Sequence, residues 1–294
     1  MAITVTSYTN GKHNIPYESF TFSGGEEHIR FSGPRQYAAW DVHITAILTS
    51  SAEIIKLAMV TDAIRRHADN VKITLKMPYI PYARQDRVCV EGEALGIRVF
   101  CDIINAMQFD RVHVLMPHSE VAPALLNNCD ENLYTSNWDT FIPHSVPKEL
   151  QDDLVIVSPD AGAMKRTLKF AQMLNTTYTV LPNKVDVVMA DKVRDVVTGQ
   201  ITSTTVHAGP ELVGKTCLIY DDICDGGFTF IKLAEALREK GASKVILAVP
   251  HGIFSKGFTE IAKVIDQVIT TNIFKDNIPE YTSIPVSVFD ITRA

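Results

Sequence analysis

Strand-length runs of β-branched and aliphatic residues recur along this chain with helix-period segments between them, and this alternation constrains the fold more than any other feature. Val71–Pro78, Arg111–Pro117, Asp153–Ser158, Tyr178–Leu181, Thr216–Tyr220, Lys244–Val249 and Gln267–Thr271 are mostly continuous in their apolar character. A sheet covered on both faces requires strands of that kind. Between them, Ala52–His67, Gly92–Met107, Ala161–Leu174 and Phe228–Lys240 place apolar residues three and four apart, the spacing of amphipathic helices. The combination predicts an α/β fold built on a mostly parallel sheet flanked by helices. The pattern runs twice, and 294 residues suffice for two cores. The stretch Asp130–Gln151, with Asn132, Pro143, Pro147 and few regular signals, is expected to separate a domain over 1–146 from one over 147–294.

Composition removes several classes of function. A net charge of -6 argues against a nucleic-acid surface, which needs clustered Lys and Arg. Apolar runs stop short of a bilayer's thickness, and the first residues lack a basic region followed by an apolar stretch. The expectation is a cytoplasmic protein without membrane or nucleic-acid partners. The five cysteines show no metal-ligand spacing and read as reduced thiols.

Ligands of open parallel sheets bind beyond the carboxyl ends of the strands. After Tyr220 comes Asp221-Asp222-Ile223-Cys224-Asp225-Gly226-Gly227-Phe228-Thr229 and then a helix. Paired carboxylates there can hold sugar hydroxyls or metal-bound water. The glycines, the Thr229 hydroxyl and the helix start supply donors for phosphate. An acidic cap on an ordinary strand-to-helix turn is the plainer alternative. After Val157, Asp160 suits a metal and Arg166 a phosphate, or Ser158 and Asp160 simply cap a helix. His118 follows another strand and is, taken singly, as suited to a structural hydrogen bond as to a ligand. After Met77, Arg84 and Arg87 of PYIPYARQDR can pair with phosphate oxygens, or form a solvated turn. Asp191–Ala208 has the make-up of a mobile hairpin whose cations Lys192 and Arg194 could close over charged chemistry; an edge hairpin blunted by Lys is the alternative.

The order and identity of these segments resemble the ribose-phosphate pyrophosphokinase (PRPP synthetase) family along nearly the whole chain. The resemblance is carried by FSGGE at Phe22–Glu26, PYIPYARQDR at Pro78–Arg87, GEALGIRV at Gly92–Val99, DRVHVLMPHS at Asp110–Ser119 and SPDAGAMKR at Ser158–Arg166. It continues through KVRDVVTGQI at Lys192–Ile201, GKTCLIYDDICDGGFT at Gly214–Thr229 and GASKVILAVPHGIFS at Gly241–Ser255. It implies two phosphoribosyltransferase-like domains, with ATP on the side of the first. It further implies transfer of a diphosphate from ATP to the C1 hydroxyl of a ribose, with Mg2+. By this resemblance Phe22, Glu26, Arg84, Gln85 and Asp86 bind ATP. Asp221, Asp222, Asp225, Gly226, Gly227, Phe228 and Thr229 hold the ribose and its phosphate. His118 and Asp160 are tied to magnesium, and Lys192 and Arg194 are the catalytic cations. The family also implies a homo-oligomer, a dimer or higher.

The chain departs from the family pattern at points that bear on chemistry. Its phosphate loop usually reads Asp-Thr-Ala/Gly-Gly-Thr, whereas here Gly226, Gly227 and Phe228 stand between Asp225 and Thr229. The ATP segment has Gly24 in place of a carboxylate, and Met116-Pro117-His118 replaces Asp-Leu-His. Losing donors weakens the case for a simple 5-phosphate, while Phe228 offers a flat surface for a base. Phage enzymes resembling this family make ADP-ribose pyrophosphate, in NAD salvage, and ADP-ribose is the acceptor this loop suggests. The alternatives are ribose 5-phosphate with an inward-packed Phe228, and a catalytically silent regulatory relative. The last is expected to lose the loop cations or the acidic pair.

Overall fold

The structure is a computed structural model, which describes residues 3–8, 11–31, 41–67, 70–176, 184–194, 201–207 and 212–293, the side chains of 133, 192–194, 201–203 and 293 excepted. The chain divides into two compact units, Met1–Thr135 and Ser136–Ala294.

The first unit contains β1 (Ile3–Ser7), β2 (His13–Asn14), β3 (Tyr17–Thr21), β4 (Glu27–Phe31), β5 (Asp41–Ala46), α1 (Ser51–His67), β6 (Lys72–Lys76), α2 (Gly96–Ala106), β7 (Arg111–His113), α3 (Val121–Leu125) and β8 (Cys129–Asp130). Its main sheet runs β2-β1-β5-β6-β7-β8, parallel from β5 to β8 and antiparallel at β1 and β2. Strands β3 and β4 form a separate antiparallel hairpin. Alternation places Val42, Ile44, Ile73, Leu75 and Val112 in one core with Leu57, Val60, Ile97 and Phe100 of the helices. Helix α1 starts where the Glu53 carboxylate accepts from Thr49 N–H (2.6 Å) and Ser50 N–H (3.1 Å) while Ser50 Oγ accepts from Glu53 N–H (3.4 Å). This is a reciprocal cap that satisfies otherwise orphaned donors. Arg65, Arg66 and His67 in its last turn complement the helix dipole.

Helix α4 (Asn132–Ser145) contains the division between the units. The second unit continues with β9 (Leu154–Ser158), α5 (Met164–Thr176), β10 (Asp186–Arg194), β11 (Ile201–Val206), β12 (Thr216–Tyr220), β13 (Ile223–Cys224), α6 (Phe228–Glu239), β14 (Lys244–Ala248), β15 (His251–Gly252), β16 (Gln267–Thr271) and β17 (Val286–Phe289). Its sheet runs β11-β10-β9-β12-β14-β16-β17, every pairing parallel except β10 with β11. Each residue of β9, β12 and β16 is buried, which explains their continuous apolar sequence. The expected α/β class, with mostly parallel sheets flanked by helices, is what forms.

Two expectations about elements need correction. The stretch Asp130–Gln151 is mostly helix: α4 buries Tyr134, Trp138 and Ile142 at four-residue spacing and tolerates Pro143 near its end. Helix α2 starts at Gly96 rather than Gly92, because Gly92 has a φ of +91° and the Glu93 carboxylate turns back to accept from Cys89 and Val90 N–H. The strand expected at Tyr178–Leu181 lies outside the described residues.

Candidate active site

Strand β12 occupies the middle of its sheet and delivers Asp221 and Asp222 at its carboxyl end. Both carboxylates meet one cation from α5. An Arg166 amino group donates to Asp222 Oδ1 and lies 3.5 Å from Asp221 Oδ1. The Asp222 N–H donates to Asp221 Oδ1 at 2.9 Å, closing the cluster. Side-chain exposure is 4% for Asp222, 13% for Asp221 and 21% for Arg166, so the charges interact with little screening. Burial and the adjacent Asp222 charge push the Asp221 carboxyl well above its ordinary range, with Arg166 opposing them. Burial alone would pull the Arg166 guanidinium down, yet the two carboxylates outweigh it and hold it protonated. The cation expected to face a phosphate therefore partners the acidic pair.

Tyr220 anchors the strand end from below. Its hydroxyl donates to Asp139 Oδ1 of α4 at 2.5 Å, and its ring stacks on Phe170 of α5 with centroids 4.4 Å apart. Burial pushes the Asp139 carboxyl up to about 7, the Tyr220 bond opposing it, and burial also raises the Tyr220 hydroxyl.

The loop after the pair turns into α6. Gly227 takes a φ of +80°, and a Cβ there would lie 3.0 Å from Ile261 Cδ1, so the position requires glycine. The N–H groups of Gly226, Gly227, Phe228 and Thr229 find no acceptor among the described residues. Four such donors in sequence make a cradle for a tetrahedral anion. Phe228 is 52% exposed with Lys232 Nζ 5.9 Å from its ring centroid, so the ring does not pack inward. Asp225 binds the following loop, accepting from Ser255 Oγ at 2.7 Å and, through its carbonyl, from Ser255 N–H at 3.1 Å.

The remaining candidates occupy other elements. Asp160 Oδ1 accepts from Ala163 N–H at 3.0 Å, and Ser158 Oγ donates to the Asp160 carbonyl, so these residues form a cap ahead of α5. Lys192 and Arg194 belong by backbone to β10, antiparallel to edge strand β11; their side chains, and residues 195–200, lie outside the described residues. In the first unit, Phe22 and Glu26 close the β3–β4 hairpin through Phe22 N–H to Glu26 carbonyl (2.8 Å) and Gly25 N–H to Phe22 carbonyl (2.8 Å). Phe22 is 51% exposed and packs against Phe20 and His28. Arg84, Gln85 and Asp86 lie in the loop between β6 and α2, pinned by Gln85 N–H to Tyr82 carbonyl and Ile97 N–H to Gln85 carbonyl. His118 lies beyond β7, half-buried. Among the described residues no group of three His, Cys, Asp or Glu side chains could hold a metal ion, and no helix is long and apolar enough to cross a membrane.

Sequence reasoning did not find Asp139 or the Ser255–Lys256 turn. The only signal for Asp139 was the apolar spacing of Tyr134, Trp138 and Ile142, which makes a helix of its surroundings. Ser255 is brought to Asp225 by the parallel pairing of β13 with β15, which no local pattern announces.

The phosphoribosyl transferase domain model matches residues 122–279. The chain is 29% identical over 239 residues to a ribose-phosphate pyrophosphokinase of Pyrococcus furiosus, covering 79% of this chain and 77% of that one. It is 26% identical over 279 residues to that of Thermococcus kodakarensis, covering 94% and 91%. The crystal structure of phosphoribosylpyrophosphate synthetase from Mycobacterium smegmatis superposes with a TM-score of 0.74 at 23% identity, over 95% of this chain and 87% of that one, which shows a common fold. On a family match to more than half its length, this chain belongs to the phosphoribosyl transferase domain family, and it is a transferase similar to the ribose-phosphate pyrophosphokinases.

Proposed function

We propose that this chain transfers the β,γ-diphosphate of ATP to the C1 hydroxyl of a ribose phosphate and releases AMP. The observation that carries the reading is the pairing of the Arg166-bound Asp221 and Asp222 with the open N–H groups of Gly226–Thr229 one turn later. Carboxylates accept hydrogen bonds from the ring hydroxyls of a ribose, and the cradle spans toward its O5 phosphate. The ribose is thereby fixed at two points, leaving C1 to be aimed at the β-phosphorus. In the step itself the C1 oxygen bonds to that phosphorus and the bridging bond to the α-phosphate breaks. AMP leaves with its electrons and the hydroxyl proton passes to water. Lys192 and Arg194 are assigned to the charge on the transferring group, and Phe22, Glu26, Arg84, Gln85 and Asp86 to ATP.

The donor chemistry suits magnesium at the two residues assigned to it: Asp160 offers a carboxylate oxygen and His118 an imidazole nitrogen. Magnesium is ordinarily held by one or two carboxylates plus substrate phosphates, so a dedicated protein cage is not required. When bound it neutralises phosphate charge. The expected domains at 1–146 and 147–294, a cytoplasmic site of action and a homo-oligomer complete the proposal.

The relatives' name favours ribose 5-phosphate as acceptor. ADP-ribose is the second reading, supported by the exposed Phe228 ring beside the cradle, a surface on which a base can stack. Incubation with ATP, Mg2+ and each acceptor, following AMP release, tests both. Turnover with ribose 5-phosphate at least as good as with ADP-ribose supports the first reading, and the reverse order supports the second. No AMP release with either overturns the diphosphate-transfer reading.

A further inference from the structure

We infer that Lys256 is an acceptor-binding residue, a cation placed to pair with phosphate at the O5 end of the ribose; this rests on the reading above. A Cβ at Gly226 would lie 3.4 Å from Lys256 Cγ, so the stem of this lysine runs along the first residue of the cradle. Phe254 and Gly257, with φ of 49° and 71°, form a tight turn closed by Gly257 N–H to Phe254 carbonyl at 2.8 Å. Ser255 and Lys256 are its two central residues, and both are exposed.

The turn is tied to the phosphate loop along its length. Ile253 and Phe254 N–H donate to the Cys224 carbonyl, and Ser255 binds Asp225 through backbone and side chain. Phe254 is buried against Phe258, and Asn277 Nδ2 donates to the Ile253 carbonyl at 2.6 Å. The backbone of Lys256 is therefore fixed relative to Gly226, while its ammonium has no carboxylate or carbonyl partner among the described residues. A lysine whose stem runs along Gly226, where four N–H groups have no acceptor among the described residues, is complementary to an anion with more charge than the N–H groups neutralise alone. A phosphate monoester and a diphosphate both meet that description, and the substrates distinguish them.

Lys256→Met and Lys256→Arg test the assignment through steady-state kinetics on the full chain. Lys256→Met is expected to raise the acceptor KM about tenfold, the worth of one charge-assisted contact, with the ATP KM as internal reference and Lys256→Arg restoring most of the loss. A rise with ribose 5-phosphate points to the monoester, and one confined to ADP-ribose points to the second phosphate. An acceptor KM within twofold of wild type, or an equal rise in both KM values, overturns the inference. Should the wild-type chain release no AMP, calorimetric binding of ribose 5-phosphate and ADP-ribose without ATP still decides it. Binding weakened about tenfold by Lys256→Met supports the assignment, and unchanged or absent binding refutes it.

Discussion

Asp139 is a carboxyl group the proposed chemistry does not use, held under the site by the Tyr220 hydroxyl. Its folded form titrates near about 7 against an ordinary 3.8, chiefly because burial disfavours the charge. The fold thus binds this proton more tightly than the unfolded chain does. The associated stability is fully present below pH 3.8 and is lost as pH rises through about 7. Asp139→Asn keeps an acceptor for Tyr220 and removes the proton. Urea unfolding should show the variant gaining about 1–3 kcal/mol relative to wild type between acid and mildly alkaline pH. Parallel pH profiles would show that Asp139 does not titrate in this window. At this scale the sequence was half readable. Adjacent Asp221 and Asp222 followed by two glycines singled out the loop at the end of this strand, but the partnership with Arg166 is made by folding alone.

At the level of elements, the buried strands of the second unit were legible because both of their faces are covered, which demands apolar residues throughout. The strands at the start of the chain were not: Tyr17–Thr21 is mostly exposed and has no hydrophobic face to betray it. The short β13–β15 ladder was equally hidden, although it holds the Lys256 turn against the loop that leads into α6. Gly252 is its tightest point, since a Cβ there would meet the Phe254 ring at 2.2 Å and Thr270 Oγ1 at 2.6 Å. Gly252→Ala is expected to cost about 2–3 kcal/mol through forced repacking. It should also raise the acceptor KM, as the turn is pushed from Gly226. Unfolding by urea together with the KM measures both, and a wild-type midpoint would refute the account of the packing.

The whole molecule carries five thiols in distinct settings. Cys101, Cys217 and Cys224 are buried, Cys129 is half-buried and Cys89 is exposed. Burial lifts the thiol of Cys101 to about 11 and those of Cys129 and Cys217 to about 12, and also raises that of Cys224. Thiol reagents attack the thiolate, so the native protein should show one fast-reacting group, Cys89, and all five after unfolding. Several fast groups in the native state would mean looser cores than those described. Strand β12 has a consequence for how such a protein can change. The acidic pair is continuous with the central strand and inherits its register, so moving it means re-pairing the sheet. Phe228 and Lys256, in contrast, stand at the surface beside the cradle, where replacement leaves the frame intact. On the proposed reading, drift in acceptor choice is therefore cheap at those two positions and closed at Asp221 and Asp222: a lineage could exchange what hangs from the ribose while its hold on the ring stays fixed.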